Sequence, residues 1–312
     1  MNPYSYENSR PEAELRLKGE TSKSLHYAVE FPSAFPTGYP ENGTVKGEYY
    51  LPKVEQKAPL AVLIHGMGDY SIIPCKLLAR ALLRQGIASF VPYLTVHSRR
   101  MPKAIRDHHP YLTSEEWFQS YQLSVIDIRQ IVDWAGTRTE LNEKQVATMG
   151  ISFGGFASAI AMGIDSRIKA GVFIVTGGNS EKMMWLSKGG PFHKTYERSQ
   201  EEYLDIQRSY TKYLLEVSEK GVENVTPGIP SFLTDPMTFA GYLKGRPVFM
   251  INAVRDKYIP REAVIEFWQA CGEPTLIWIP SGHTSIWLWY LTIRRHITGF
   301  LKSCLVTLEE SG

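Results

Sequence analysis

Residues 60–64, Leu-Ala-Val-Leu-Ile, are apolar at every position. A strand with one face in water alternates apolar and polar residues, so an unbroken run of this kind belongs to a sheet covered on both faces. Comparable runs recur at 87–91, 146–151, 170–175, 247–252 and 275–279. Helical patterns separate or follow them at about 74–84, from Thr113 onward, from about Gly154, at about 260–270 and at 284–303. Thr113 and Glu116 have the spacing of a capping box, and Trp117, Tyr121, Ile128, Ile131, Val132 and Ala135 recur on one helical side. Strands alternating with helices predict one large α/β domain with a mostly parallel sheet.

Two parts depart from this alternation. Residues 1–58 read as an N-terminal arm and first strands, with short strands at 25–31 and 45–51. Residues 177–245 lie between two strands and are far too long for an ordinary connection, so a helical cap or subdomain is expected. Within it Ser199 and Glu202 form a second capping-box pair, and Gly221 ends the helix. This segment is rich in aromatics: Trp185, Phe192, Tyr196, Tyr203, Tyr210, Tyr213, Phe232, Phe239 and Tyr242. Helical spacing reads Tyr203, Tyr210 and Tyr213 as packing residues in the first instance.

Charge narrows the function classes. Thirty-four Lys and Arg stand against 32 Asp and Glu, a balance that argues against a nucleic-acid partner. Cys75, Cys271 and Cys304 are widely spaced, which suits neither a metal-ligand pair nor a disulfide framework. The opening residues are polar, unlike a secretory signal. The most apolar stretch, 284–305, is broken by Arg294, Arg295, His296 and Lys302, so no membrane span is expected. A soluble cytoplasmic protein is the expectation, with a homo-oligomer left open.

The chemistry centres on Gly150-Ile151-Ser152-Phe153-Gly154. It follows an apolar strand and starts a helix of small residues, the setting of a nucleophile elbow, where a strained turn presents a serine and glycines allow close strand–helix approach. The alternative is a glycine-rich turn with a bystander serine. A serine hydroxyl needs a base, and His283, just after the last strand, is best located for it. Asp256, after the preceding strand, could orient that base. Read singly, His283 is a helix-start residue and Asp256 a solvated carboxylate beside Arg255 or Lys257. The order Ser, Asp, His is the one expected of a strand–turn–helix hydrolase. Oxyanion donors would be the Phe153 amide and an amide of His65-Gly66-Met67-Gly68, Met67 being the first candidate. His65 reads as a loop-shaping residue.

Segments VLIHGMG (62–68), MGISFGG (149–155), INAVRDKYIP (251–260) and IPSGHTS (279–285) together resemble the α/β-hydrolase superfamily. Within it they look like the dienelactone hydrolase, acetyl xylan esterase and prolyl-oligopeptidase-like branch. The resemblance covers about residues 20–303. It implies an α/β-hydrolase fold, a Ser152, Asp256 and His283 triad, and Met67 and Phe153 as oxyanion donors; the helical cap insertion is expected from segment length, and the expected mechanism needs no cofactor or metal. The chain departs from the branch in having no propeller before the domain and in its helical insertion.

The expected activity is cleavage of carboxylic esters with apolar acyl or alcohol groups, the partner being a small-molecule ester. The same machinery would serve amides, peptides or thioesters. A non-catalytic binding protein on this fold would be expected to lack a triad residue, and all three are present. The basic cluster His97, Arg99, Arg100, Lys103, Arg106, His108 and His109 reads as a solvated loop, and as an anion or metal site only secondarily. Trp278, Trp287, Trp289 and Tyr290 read as core.

Overall fold

A computed structural model describes residues 2–7, 10–35, 37–109, 111–189 and 196–306. Among these, one sheet contains β1 (Glu14–Glu20), β2 (Ser24–Pro32), β3 (Thr44–Pro52), β4 (Ala58–Ile64), β5 (Ala88–Pro92), β6 (Leu141–Ile151), β7 (Ile168–Ile174), β8 (Val248–Ala253) and β9 (Thr275–Ile279). Their order is β1-β2-β3-β5-β4-β6-β7-β8-β9. The first three strands pair antiparallel with one another and β3 with β5, and every later pairing is parallel.

The principal helices are α1 (Ile72–Leu83), α2 (Ser114–Ala135), α3 (Phe153–Ile164), α4 (Ser180–Leu186), α5 (Gln200–Lys220), α6 (Arg261–Ala270) and α7 (Tyr290–Leu305). Two apolar clusters lie on the two faces of the sheet. On one face Val125, Ile128 and Ile131 of α2 meet Ala157 and Ile160 of α3. On the other, Leu78 and Leu82 of α1 meet Ile293, Ile297 and Leu301 of α7. Coverage on both faces is why β4, β5 and β8 are buried at every position. This is an α/β-hydrolase fold.

The chain runs from β4 through α1 to β5 on one side, then through α2 back to β6 on the other. The crevice between the carboxyl ends of β4 and β6 is therefore a topological switch point, where open α/β sheets bind ligands.

Several details differ from the sequence expectation. β1, which falls within the expected arm, is an edge strand whose ELRLKGE sequence is mostly exposed and charged; charge protects an edge from further pairing and also erases the apolar signal. The helix expected over 284–303 is a 3-10 turn, Ser285–Trp289, followed by α7. Trp289 is not core: it is 42% exposed. Trp278 lies under the Arg261 guanidinium, and Trp287 packs against the α1–α7 cluster.

The basic stretch is not solvated throughout. Arg100 is wholly buried and bonds Asp127 of α2 at 2.5 Å and the Tyr93 carbonyl at 3.1 Å. A carboxylate on the buried side of α2 draws the guanidinium inward, because a buried charge needs a partner. His97 is also buried, whereas Arg99 and Arg106 stay at the surface.

Between β7 and β8 lie α4, α5 and several single turns. Both capping-box bonds are present at Ser199 and Glu202. Tyr210 and Tyr213 pack on Phe232, and Phe239 packs on Tyr4, whose hydroxyl donates to the Leu233 carbonyl at 2.6 Å. Trp185 stacks on Tyr203 and meets Tyr196 edge-on, and Tyr242 is 38% exposed. Phe192 lies outside the described residues.

Candidate active site

Ser152 sits between the last residue of β6 and the first of α3, with φ 52° and ψ −117°. A left-handed φ is costly for a residue with a Cβ and persists only where surroundings over-determine it. Here they do. A Cβ on Gly150 would stand 2.0 Å from the Gly154 carbonyl oxygen, and one on Gly154 would stand 2.4 Å from that of Ile64. The two glycines let α3 start directly against β6 and the end of β4. The Ser152 amide donates to the Ile174 carbonyl at 2.8 Å, tying the turn to β7. Val175, the residue just after β7, also has a positive φ of 45°. Its amide bonds Ile251 of β8 at 2.7 Å, and the strain is concentrated where the strands meet the turn.

His283 and Asp256 arrive from the loops after β9 and β8. Adjacent parallel strands bring these loops side by side. Amides of Val254 and Arg255 donate to the carbonyls of Ile279 and Ser281 at 2.9 and 2.8 Å. His283 Nε2 lies 3.0 Å from Ser152 Oγ, and its Nδ1 lies 2.7 Å from Asp256 Oδ2. Asp256 Oδ1 accepts the amides of Tyr258 and Ile259 at 2.8 and 3.0 Å. The Asp256 side chain is only 4% exposed and that of His283 12%, so this hydrogen-bonded line is largely shielded from water.

The loop after β4 lies against the serine. An added Cβ on Gly66 would be 3.5 Å from the Ser152 Cβ. Ser71 holds the loop by donating to the carbonyls of Gly66 and Gly68. His65 is wholly buried and shapes it from beneath: Nε2 accepts the Leu94 amide at 3.1 Å and Nδ1 lies 2.6 Å from the Gly66 carbonyl. Only the neutral Nδ1-protonated tautomer satisfies both bonds. Burial pushes the pKa of this ring down to about 3. Met67 follows Gly66 in this loop, its side chain half-buried against the core. Phe153 occupies the first position of α3, where an amide has no carbonyl four residues back to bond.

Beside the serine, the Phe153 ring packs on Tyr121 at 4.6 Å and Trp117 at 5.6 Å between centroids. Sequence reasoning missed Tyr258, whose ring lies 4.8 Å from that of His283. The Asp-x-Tyr spacing after β8 was the available signal, since an aspartate readily bonds the amide two residues on. It also missed Ser71, whose partners are backbone carbonyls of its own loop, and Asp127, whose partner is an arginine from the loop after β5. The insertion reaches the same region: the Ser187 hydroxyl and Lys188 amide donate to the Lys257 carbonyl at 3.0 and 2.9 Å. Among the described residues no group of three His, Cys, Asp or Glu side chains is arranged to hold a metal ion.

The sequence model of a family described as "Alpha/beta hydrolase domain containing 18" matches residues 5–180. An uncharacterized protein of Mycobacterium tuberculosis is 22% identical over 192 residues, 61% of this chain. The chain spans only 38% of the length of that relative. An acetyl xylan esterase from Paenibacillus sp. R4 has a similar structure, with a TM-score of 0.68, 19% identity and coverage of 95% of this chain and 90% of that one. Acetyl xylan esterase 1 from Thermoanaerobacterium sp. gives 0.66, 15%, 96% and 91% respectively. At these identities the structural likeness is one of fold.

Proposed function

The chain belongs to the alpha/beta hydrolase domain containing 18 family, and from that membership we propose that it is a serine hydrolase cleaving carboxylic esters through an acyl-enzyme. One observation carries the reading: a strained, partly exposed serine 3.0 Å from an imidazole that is itself 2.7 Å from a buried carboxylate.

In this reading His283 takes the Ser152 proton as the oxygen attacks the ester carbonyl. The amides of Phe153 and Met67 donate to the developing oxyanion. His283 then protonates the leaving alcohol and deprotonates the water that releases the acid. Asp256 keeps Nδ1 protonated and compensates the imidazolium. No step calls for a metal or cofactor.

The aromatic neighbours Trp117 and Tyr121, with Met67, favour an apolar acyl or alcohol group beside Ser152. Residues 177–245 serve as a helical cap on a single α/β domain; their bonds to the Lys257 carbonyl, next to Asp256, support that role. A cytoplasmic setting is part of the proposal, supported by the free thiols Cys75, Cys271 and Cys304.

Hydrolysis of p-nitrophenyl esters across acyl lengths, with Ser152→Ala as control, tests it. Turnover that Ser152→Ala abolishes is expected. Esters left untouched while a fluorophosphonate still labels Ser152 would move the substrate to an amide or thioester. Absence of labelling as well would remove the serine-nucleophile reading altogether.

A further inference from the structure

Both elements that lead away from the candidate site carry large apolar side chains into solvent. Just beyond the 65–68 loop, Tyr70 is 86% exposed, and Ile73 and Leu77 of α1 are 48% and 38% exposed. Just beyond His283, Leu288 is 88%, Trp289 42% and Leu291 68% exposed. Tyr290 joins the two stripes by donating to the Leu77 carbonyl at 3.1 Å. Single exposed apolar residues are ordinary, but six on two adjoining elements form a patch, and patches of this kind mark interaction surfaces.

Charge is segregated on the same elements. In a chain with nearly balanced charge, residues 71–86 contain Lys76, Arg80 and Arg84 and no carboxylate, and residues 282–306 contain Arg294, Arg295 and Lys302 and no carboxylate. Arg80, Arg84 and Arg295 are exposed, whereas Lys76 is engaged by Glu48. Arg294 lies over the Tyr290 ring, 5.8 Å from its centroid, and the charges of Arg80 and Arg84 reach the same tyrosine. The acid nearest in sequence before α1, Asp69, accepts the Ser98 amide at 2.8 Å. The apolar side chains occupy the ends of α1 and α7 nearest the site, and most of the cations follow one or two turns farther along.

We propose that this surface docks the protein on an anionic lipid bilayer, with Tyr70, Ile73, Leu288, Trp289 and Leu291 entering the interface and the arginines of α1 and α7 meeting the headgroups. Apolar side chains backed by cations, with a tryptophan and a tyrosine at the boundary, match the interfacial layer chemically. The contact proposed for this surface is a peripheral one; no helix among the described residues is long and apolar enough to cross a membrane. Docking in this orientation turns the mouth of the site toward the lipid.

Flotation with vesicles tests this without relying on turnover, so its result stands apart from that of the ester assay. The full chain is expected to float with mixed phosphatidylcholine–phosphatidylglycerol vesicles, much less with phosphatidylcholine alone, and to be released by salt. Leu288→Ser/Leu291→Ser and, separately, Arg80→Glu/Arg295→Glu should each cut the bound fraction about tenfold or more. Unchanged circular dichroism and unchanged hydrolysis of a short soluble ester would show that these surface variants are folded. Absence of vesicle binding, equal binding to both vesicle types, or full binding by the variants would overturn the proposal. So would a concentration-dependent dimer abolished by Leu288→Ser/Leu291→Ser, which would assign the patch to a second copy of the chain.

Discussion

His283 Nδ1 lies 2.7 Å from Asp256 Oδ2, while the other carboxylate oxygen is occupied by the amides of Tyr258 and Ile259. The carboxylate therefore has its orientation set by its own loop before it meets the ring. Asp256→Asn should keep much of this geometry but lose the anion that holds Nδ1 protonated. A fall in kcat of roughly 10⁴ is expected, with thermal stability little changed. Comparison of kcat and melting temperature for Asp256→Asn and wild type decides it, and a loss under tenfold would remove Asp256 from the proposed role.

Gly154 has no room for a methyl group: an added Cβ would stand 2.4 and 2.5 Å from the backbone oxygens of Ile64 and His65. Neither is the end of a flexible side chain, so the strand and helix would have to separate. Gly154→Ala should cost on the order of 3 kcal/mol or prevent folding. Gly241, where an added Cβ would meet nothing within 4 Å, offers the matched control, and urea midpoints of the two alanine variants give the comparison.

His65 makes stability depend on pH. Burial lowers its pKa from the ordinary 6.5 to about 3, so the unfolded chain takes up a proton that the folded one refuses. The contribution is complete above about pH 6.5 and is lost as pH falls toward 3, at about 1.4 kcal/mol per pH unit. Between pH 7 and pH 5 the wild type should lose about 2 kcal/mol more than His65→Asn in denaturant titrations. Parallel losses in the two proteins would contradict this account.

Arg100 and Asp127 are both fully buried and face each other across the α2 packing layer. Burial alone raises the Asp127 pKa, and the Arg100 charge opposes that rise. Arg100→Met leaves the carboxylate without its partner and should destabilise by about 3–5 kcal/mol. Adding Asp127→Leu should recover most of that loss, because the pair's attraction largely offsets its own desolvation. A double variant no more stable than the single one would show that the arginine's bonds to the carbonyls of Tyr93 and Asn42 matter more.

The features legible in the sequence are local or periodic. The buried strands announce themselves as apolar runs, and the capping boxes at Thr113 and Ser199 have both their bonds in the structure. The Gly-x-Ser-x-Gly turn is recognisable because its two glycines stand at a fixed spacing, two residues on either side of Ser152. β1 is not legible, since an exposed edge strand has no apolar periodicity to show. Trp289 reads as core although it is not, because composition says nothing about which side of a turn faces outward.

Interactions between residues close in the chain are enough to set the order of elements, the turn that presents Ser152 and the loops in which Asp256 and His283 stand, and all of these can be read from the sequence alone. Other outcomes needed the packed fold. His283 Nε2 comes within 3.0 Å of a serine 131 residues away, Arg100 is drawn inside to Asp127, and the apolar stripes of α1 and α7 lie side by side. Those arrangements depend on how strands pair and helices pack across the sheet, where contacts between distant segments, and not local preference, set the free energy.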